Sequence, residues 1–228
     1  MPVAMHNPAL RLSLITIAAM PIQSTDLLGV ANAPIGAQLP PGWAVRPVRG
    51  YSAPAVQVLG DTAGKLLQVS GQGEAGWFHH ELPSPIPEQT GALRWSWRVL
   101  ESPAAADLRQ EETDDSPIRV FVVFGRPGLL GRSARIIFYS YGGGEPAGYA
   151  RRSHGSDRAQ VIRVDGRSDN GSWRDHDVDP FADYRRAWGG SPRPIAAVGF
   201  MQDTDQTRSR AVAALRRLEW RPSNAFPD

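Results

Sequence analysis

The chain has 228 residues, a formal net charge of +2, 41% hydrophobic residues, seven tryptophans and no cysteine. That length and apolar content suit one β-rich domain with a substantial core, and the 23 glycines and 20 prolines are spread as turn residues rather than as a low-complexity tract. The lack of cysteine excludes disulfides, thiolate metal sites and a catalytic thiol, and the basic residues are scattered among acidic ones rather than gathered as nucleic-acid recognition requires.

In chain order, Arg11 precedes a short apolar run, LSLITIAAM, too short to span a bilayer, and Ala31-Asn32-Ala33 offers a small-residue cleavage site. A signal peptide over residues 1–33 is therefore expected, followed by a Pro/Gly-rich lead-in over 34–50, a domain over 40–220 and a short tail over 221–228. Strands are expected at 55–59, 65–70, 76–82, 93–99, 118–124, 135–141, 159–164 and 195–201, each bounded by Gly, Pro, Asp or Ser. The clearest is LRWSWRV. Leu93, Trp95, Trp97 and Val99 alternate with Arg94, Ser96 and Arg98, the period of a half-buried strand. Residues 181–188 read as a helix, with Phe181, Tyr184 and Trp188 on one face and Gly189-Gly190 as the stop. The segment 211–220 has helical composition but the place of a closing strand. The pattern predicts an all-β protein, an antiparallel β-sandwich of jelly-roll type with one short helix.

LRWSWRV, Asp114-Asp115 before RVFVVF, IIFYSY, Trp173, DYRRAWG and IAAVGFMQDTDQT follow one another in an order that resembles the bacterial family DUF3047 over residues 40–220. The resemblance implies a secreted or periplasmic protein without established activity. Its layout is also similar to the galactose-binding-like jelly rolls of carbohydrate-binding modules, a likeness of fold and not of function. Three places depart from the family pattern. Tyr141 stands where the family tends to carry Trp, Arg174-Asp175-His176 replaces a Glu-Arg run, and Arg216-Arg217 occupies the closing strand where an acidic residue is expected.

Asp114, Asp115, Asp203 and Asp205 lie at strand edges and admit two readings. They could supply oxygens to a structural Ca²⁺, or they could cap turns and pair with a buried arginine such as Arg119; the arginines of the closing strand weigh against the cation. No other cofactor is expected. Asp175, Asp177 and Asp179 open like an EF-hand loop, but Pro180 and Arg186 stand where Gly and Glu are required. Glu111 and Glu112 with Asp114 and Asp115 could serve a glycosidase, yet read more simply as a solvated charge run. The histidines lack metal spacing; His79 and His80 face opposite sides of a strand, and His154 and His176 stand alone. Tyr139, His80 and Arg135 could be assembled into a lyase set, as in nearly any β-protein. Gly142-Gly143-Gly144 reads as a flexible hairpin turn. Among the aromatics, Trp95 and Trp97 belong to the core, whereas Tyr141 and Trp77 are the candidates for stacking on a sugar. The expected function is non-catalytic glycan binding at the cell envelope; the alternatives are a polysaccharide hydrolase or lyase using the acidic loops, and a purely structural envelope protein. No nucleic acid and no membrane span are expected, and the oligomeric state is left open.

Overall fold

A computed structural model describes residues 23–89, 91–126 and 134–223. The chain runs through β1 (Thr25–Asp26), β2 (Trp43–Pro47), β3 (Ala55–Asp61), β4 (Gly64–Gln72), β5 (Ala75–Ile86) and β6 (Gly91–Glu101). It continues with β7 (Ser116–Phe124), β8 (Arg135–Gly142), β9 (Ala150–Ser153), β10 (Ser156–Gly166) and β11 (Arg174–Val178). The helix α1 (Pro180–Trp188) precedes β12 (Ile195–Asp203) and β13 (Arg210–Pro222). The strands form two sheets. The first has the order β11-β6-β13-β4-β3, with β1 also paired to β13, and the second β2-β5-β12-β7-β8-β10-β9. This is the β-sandwich expected from the alternation, and all eight expected strands and the helix are present.

The core lies between the sheets. Leu93, Trp95, Trp97 and Val99 of β6 point inward and are buried against Val120, Val122 and Phe124 of β7, Ile137 and Tyr139 of β8, and Val198 and Phe200 of β12. β12 is buried along its whole length, because it sits between β5 and β7 and both its faces are covered. The helix plugs one end of the sandwich. Asp179 accepts hydrogen bonds from the backbone N–H groups of Phe181 and Ala182, which satisfies donors at the helix start. Phe181 then packs edge-on to Trp220, and Tyr184 packs on Phe124, so the helix bridges both sheets.

One open local reading is decided and three change. The segment 211–220 is the strand β13, and a register shift between Leu215 and Arg217 explains its helical look. The bulge turns both Leu215 and Leu218 into the core, a three-residue spacing that a regular strand would forbid. The sandwich is not wholly antiparallel, since β10 runs parallel to β8, with β9 folded back along its far edge. Gly142-Gly143-Gly144 is not a free hairpin. Gly142 is paired with Gly166, and a β-carbon at Gly143 would lie 1.7 Å from the Ala106 carbonyl oxygen, so the backbone there is packed face to face.

The boundary placed after Ala33 also falls inside the fold. Leu27, Leu28, Val30 and Ala33 are core residues. The indole N–H of Trp43 donates to the Leu28 carbonyl, and Lys65, the sole lysine, donates to the carbonyls of Ala31 and Ala33. Cleavage there would strip packed side chains and leave a buried strand partner behind. The apolar run of residues 12–20 lies outside the described residues.

Candidate functional site

The four aspartates singled out in the sequence come together at the end of the sandwich where β7 begins and β12 stops, but they divide their roles. Asp114 closes the 3-10 turn over 111–113 and Asp115 leads from it into β7, and the two side chains find different partners. Asp114 pairs with Arg119 at 2.7 Å, and Arg119 also donates to the Asp114 carbonyl. Asp115 accepts from the backbone N–H groups of Gln206 and Thr207, at 3.2 and 2.8 Å, and from the Thr207 hydroxyl. It is a turn cap reaching across from one sheet-end loop to the other. Asp203 lies 3.7 Å from Arg119, and its carboxylate lies close to that of Asp205.

Carboxylate oxygens of Asp115, Asp203 and Asp205 fall within 4.8 Å of one another, and all three residues are buried. Burial pushes the Asp203 carboxyl well above the usual carboxylate range; Arg119 opposes this, and Asp205 and Asp115 reinforce it. Burial likewise raises Asp115, against the pull of its three hydrogen bonds. No protein donor among the described residues reaches Asp203 Oδ1 or Asp205 Oδ1. The three carboxylate oxygens grouped there are fewer than the six to eight oxygens that calcium takes, and a buried guanidinium stands beside them. Asp114 stands outside this trio, paired with Arg119, and Asp115 serves as a turn cap. Glu111 and Glu112 sit exposed in a short 3-10 turn, apart from this cluster.

Arg119 connects the acidic end to the outer face of the second sheet, its guanidinium 5.9 Å from the centre of the Phe138 ring. That face carries a second apolar cluster of Phe121, Phe138, Val161 and Met201, with Trp77 half-buried against it. Trp77 meets Phe121 at 5.3 Å and Phe138 at 5.1 Å between ring centres. The register places a row of small residues beside it: Ala197 and Gly199 of β12 lie between Glu81 and His79 of β5 on one side and Val123 and Phe121 of β7 on the other. Gly199 has to be glycine, because a β-carbon would lie 2.3 Å from both the Phe121 ring and the Phe78 carbonyl oxygen. Arg46 of β2 stands opposite Trp77 at the edge.

Tyr141 is placed differently from expectation. β8 runs on to Gly142, so Tyr141 keeps the inward phase of Ile137 and Tyr139 and is 1% exposed. Its hydroxyl donates to Asn170 at 2.6 Å, and it offers no stacking face to a ligand. Tyr139, His80 and Arg135 do not converge either. They bond separately to Asp183, the Gly42 carbonyl and the Tyr184 hydroxyl.

One constellation was not anticipated. His176, on the edge strand β11, lies 2.7 Å from Asp165 of the opposite sheet, and the same carboxylate oxygen accepts from the Trp97 indole at 2.7 Å. The imidazole stacks on Trp95 at 4.7 Å. Although burial opposes it, these bonds and nearby Arg174 hold the Asp165 carboxyl below the usual range. A histidine separated from its partner by ten residues across a sheet edge leaves no spacing signal. Outward from the same strand, Asp175 and Asp177 pair with Arg217 and Arg94, while Asp179 caps the helix, so the alternating aspartates are structural.

Among solved structures, a family 11 carbohydrate-binding module of Clostridium thermocellum matches with a TM-score of 0.48 and 9% identity, covering 90% of this chain and 97% of that one. The CBM22-1 xylan-binding domain of Paenibacillus barcinonensis Xyn10C matches with a TM-score of 0.46 and 16% identity, covering 91% and 99%. Endoglucanase 3 of Trichoderma harzianum, from family GH12, matches with a TM-score of 0.43 and 13% identity, covering 90% and 99%. No curated protein matches. The family described as "Protein of unknown function (DUF3047)" matches residues 41–219, and the chain belongs to it.

Proposed function

We propose that this protein binds a glycan without cleaving it, on the outer face of the second sheet, and that it works at the cell envelope after export. The observation that carries the reading is Trp77, a half-buried indole beside this row of small residues, which we read as a shallow trough with polar residues on one bank and apolar ones on the other. A sugar ring offers a C–H face to an indole and hydroxyls to groups such as His79, Glu81 and Arg46, and such concave sites with few polar groups are the usual form of small-ligand binding. Export would remove residues upstream of Thr25, because β1 is already paired with β13.

A glycan array, with a panel of polysaccharide hydrolysis assays alongside, tests the binding. Wild type should retain a neutral or acidic oligosaccharide, and Ala197→Phe, which fills the trough floor, should abolish retention while Glu81→Gln weakens it. Retention unchanged in Ala197→Phe overturns the placement. Hydrolysis by wild type overturns the non-catalytic reading, and silence in both assays favours the structural role. Fractionation with N-terminal sequencing tests export, and an intact Met1 in the cytosol defeats it.

A further inference from the structure

On the outer face of the first sheet, one indole carries two guanidinium groups. The inward phase of Trp97 and Val99 turns Arg98 outward, and its guanidinium lies 4.9 Å from the centre of the Trp173 ring. Arg216 is the extra residue of the bulge in β13, between Leu215, which pairs with Trp97, and Arg217, which pairs with Ser96. The bulge re-aims its side chain to the side of Arg217, and it reaches over Ser96 to lie 4.3 Å from the centre of the same ring.

These two arginines differ from their neighbours. Arg94 pairs with Asp177 and Glu219, Arg217 with Asp175, and Arg210 with Glu101. Among the described residues no carboxylate pairs with Arg98 or Arg216. Arg98 Nε is buried without an acceptor, and Arg216 uses only its Nε, which donates to the Ser96 hydroxyl at 3.2 Å. A guanidinium stacked on a ring keeps its in-plane terminal N–H groups for a ligand, and that planar fork matches a carboxylate. A side chain already ordered by a ring also loses less entropy on binding.

The register carries the site across the sheet. β11 begins with Arg174 opposite Trp97, so Trp173 falls level with Arg98. Arg98 is paired with Ala214, Ala214 with Gln68, and Gln68 with Gln57. Gln68 and Gln57 alternate with the core residues Leu67, Val69 and Val58, so they too face outward. From Arg98 to Gln57 is three strand spacings, roughly 14 Å, and only the methyl group of Ala214 stands between the arginine and the amides. The cations stop at one end of this row and neutral amides follow. That order suits a short chain of sugars with an acidic ring, not a polyphosphate.

We propose that the outer face of the first sheet binds an acidic oligosaccharide, with a uronate carboxylate held by Arg98 and Arg216 and the neighbouring sugars directed toward Gln68 and Gln57. The site lies on the opposite sheet from Trp77 and stands independently of the reading proposed there.

Calorimetric titration of the full chain with trimers of galacturonate and of mannuronate, the methyl-esterified galacturonate trimer, monomeric galacturonate and inorganic phosphate tests it. At least one oligouronate should bind, more tightly than the monomer, and the ester should not. Binding should weaken as salt rises from about 0.05 to 0.3 M, as the Debye length shortens. Arg98→Gln and Arg216→Gln should each lower affinity roughly ten-fold or more, the loss of a charge-assisted bond. Arg98→Lys and Arg216→Lys keep the charge but lose the fork, and should recover only part of the affinity. Gln57→Ala, exposed at the far edge, should weaken the trimer about three-fold and leave the monomer unchanged; it keeps the test open if an arginine variant fails to fold. Arg186→Gln on the helix and Ala197→Phe in the Trp77 trough should bind as wild type. The proposal is overturned if neither oligouronate binds at millimolar concentration, if the ester or inorganic phosphate binds as well as the acid, if the trimer binds no better than the monomer, or if both arginine-to-glutamine variants keep wild-type affinity. Binding lost in Ala197→Phe also overturns it, and would assign the ligand to the Trp77 face instead.

Discussion

The two ends of the sandwich carry opposite charge and accommodate it in opposite ways. At the end where β7 begins, Asp115, Asp203, Asp205 and Arg119 are drawn out of water with Asp114 half-buried beside them, held by ion pairs and backbone N–H groups. At the α1 end, arginines stay at or near the surface and rest their flat faces on Tyr184 and Trp188. Aspartate has little apolar surface to rest on a ring, so it is buried with partners; arginine can keep its charge wet while its face is dry. The acidic end therefore bears on stability by burial, and the basic end keeps its charge by stacking on rings.

That contrast can be broken by mutation. Arg119→Leu should have the largest effect, about 3–5 kcal/mol of lost stability, because it takes the guanidinium from buried Asp203 and leaves Asp114 only the more distant Arg151 at 3.9 Å. Denaturant melts measure it, and a loss of less than about 1 kcal/mol would mean the cluster is open to water. Asp115→Ala should cost about 1–3 kcal/mol by stranding the N–H groups of Gln206 and Thr207. Thermal melts of the same variant with calcium or chelator should coincide; a calcium-dependent rise in wild type, lost in the variant, would restore the cation reading.

The third effect depends on pH. The folded-state Asp203 carboxyl is raised, so between the ordinary carboxylate value of about 3.9 and its folded value the native state binds more protons than the unfolded one. Stability from this group grows as pH falls from neutral into that window and declines as pH rises. Asp203→Asn should flatten the profile. Asp165 has the opposite sign: its contribution is present above about pH 3.9 and lost as pH falls through its depressed folded value, so acid unfolding should set in only below the window in which Asp203 gains. A wild-type melting profile that falls steadily from pH 7 to 5 would contradict the raised Asp203.

Smaller still, Asp179→Ala at the basic end should cost about 1 kcal/mol through loss of the helix cap, read as a lower melting temperature. Arg186→Ala removes an exposed ion pair with Asp183 and should cost about 0.5 kcal/mol or less. A larger loss would show that the helix surface contributes to stability as the opposite end does.

How much of this was legible in sequence depends on whether a local pattern carried it. The inward phase of β6 is written in four alternating residues. β13 is not, because its bulge gives Leu215 and Leu218 a helical spacing, and β9 and β11 are short and polar enough to look like loop. For the site, alternation carries more than was taken from it. It places Tyr141 with Tyr139 in the core however close to the strand end it lies. What no local pattern carries is pairing across the sandwich. Asp115 finds Thr207, His176 finds Asp165, and Arg135 finds Tyr184 only because the sheets are stacked as they are.

The position of β13 has a consequence for when the protein can fold. It lies between β6 and β4 and also pairs with β1, where Thr25 meets Trp220. The first sheet therefore has no centre until residues 210–222 have left the ribosome, and its earlier strands wait as unpaired edges during synthesis. Contacts of such long sequence separation fold slowly, on a scale of milliseconds to seconds. Removing β13 would leave β11-β6 and β4-β3 as two separate hairpin-sized fragments, so a chain that stalls a few residues early is a substrate for proteases rather than a weaker version of the domain.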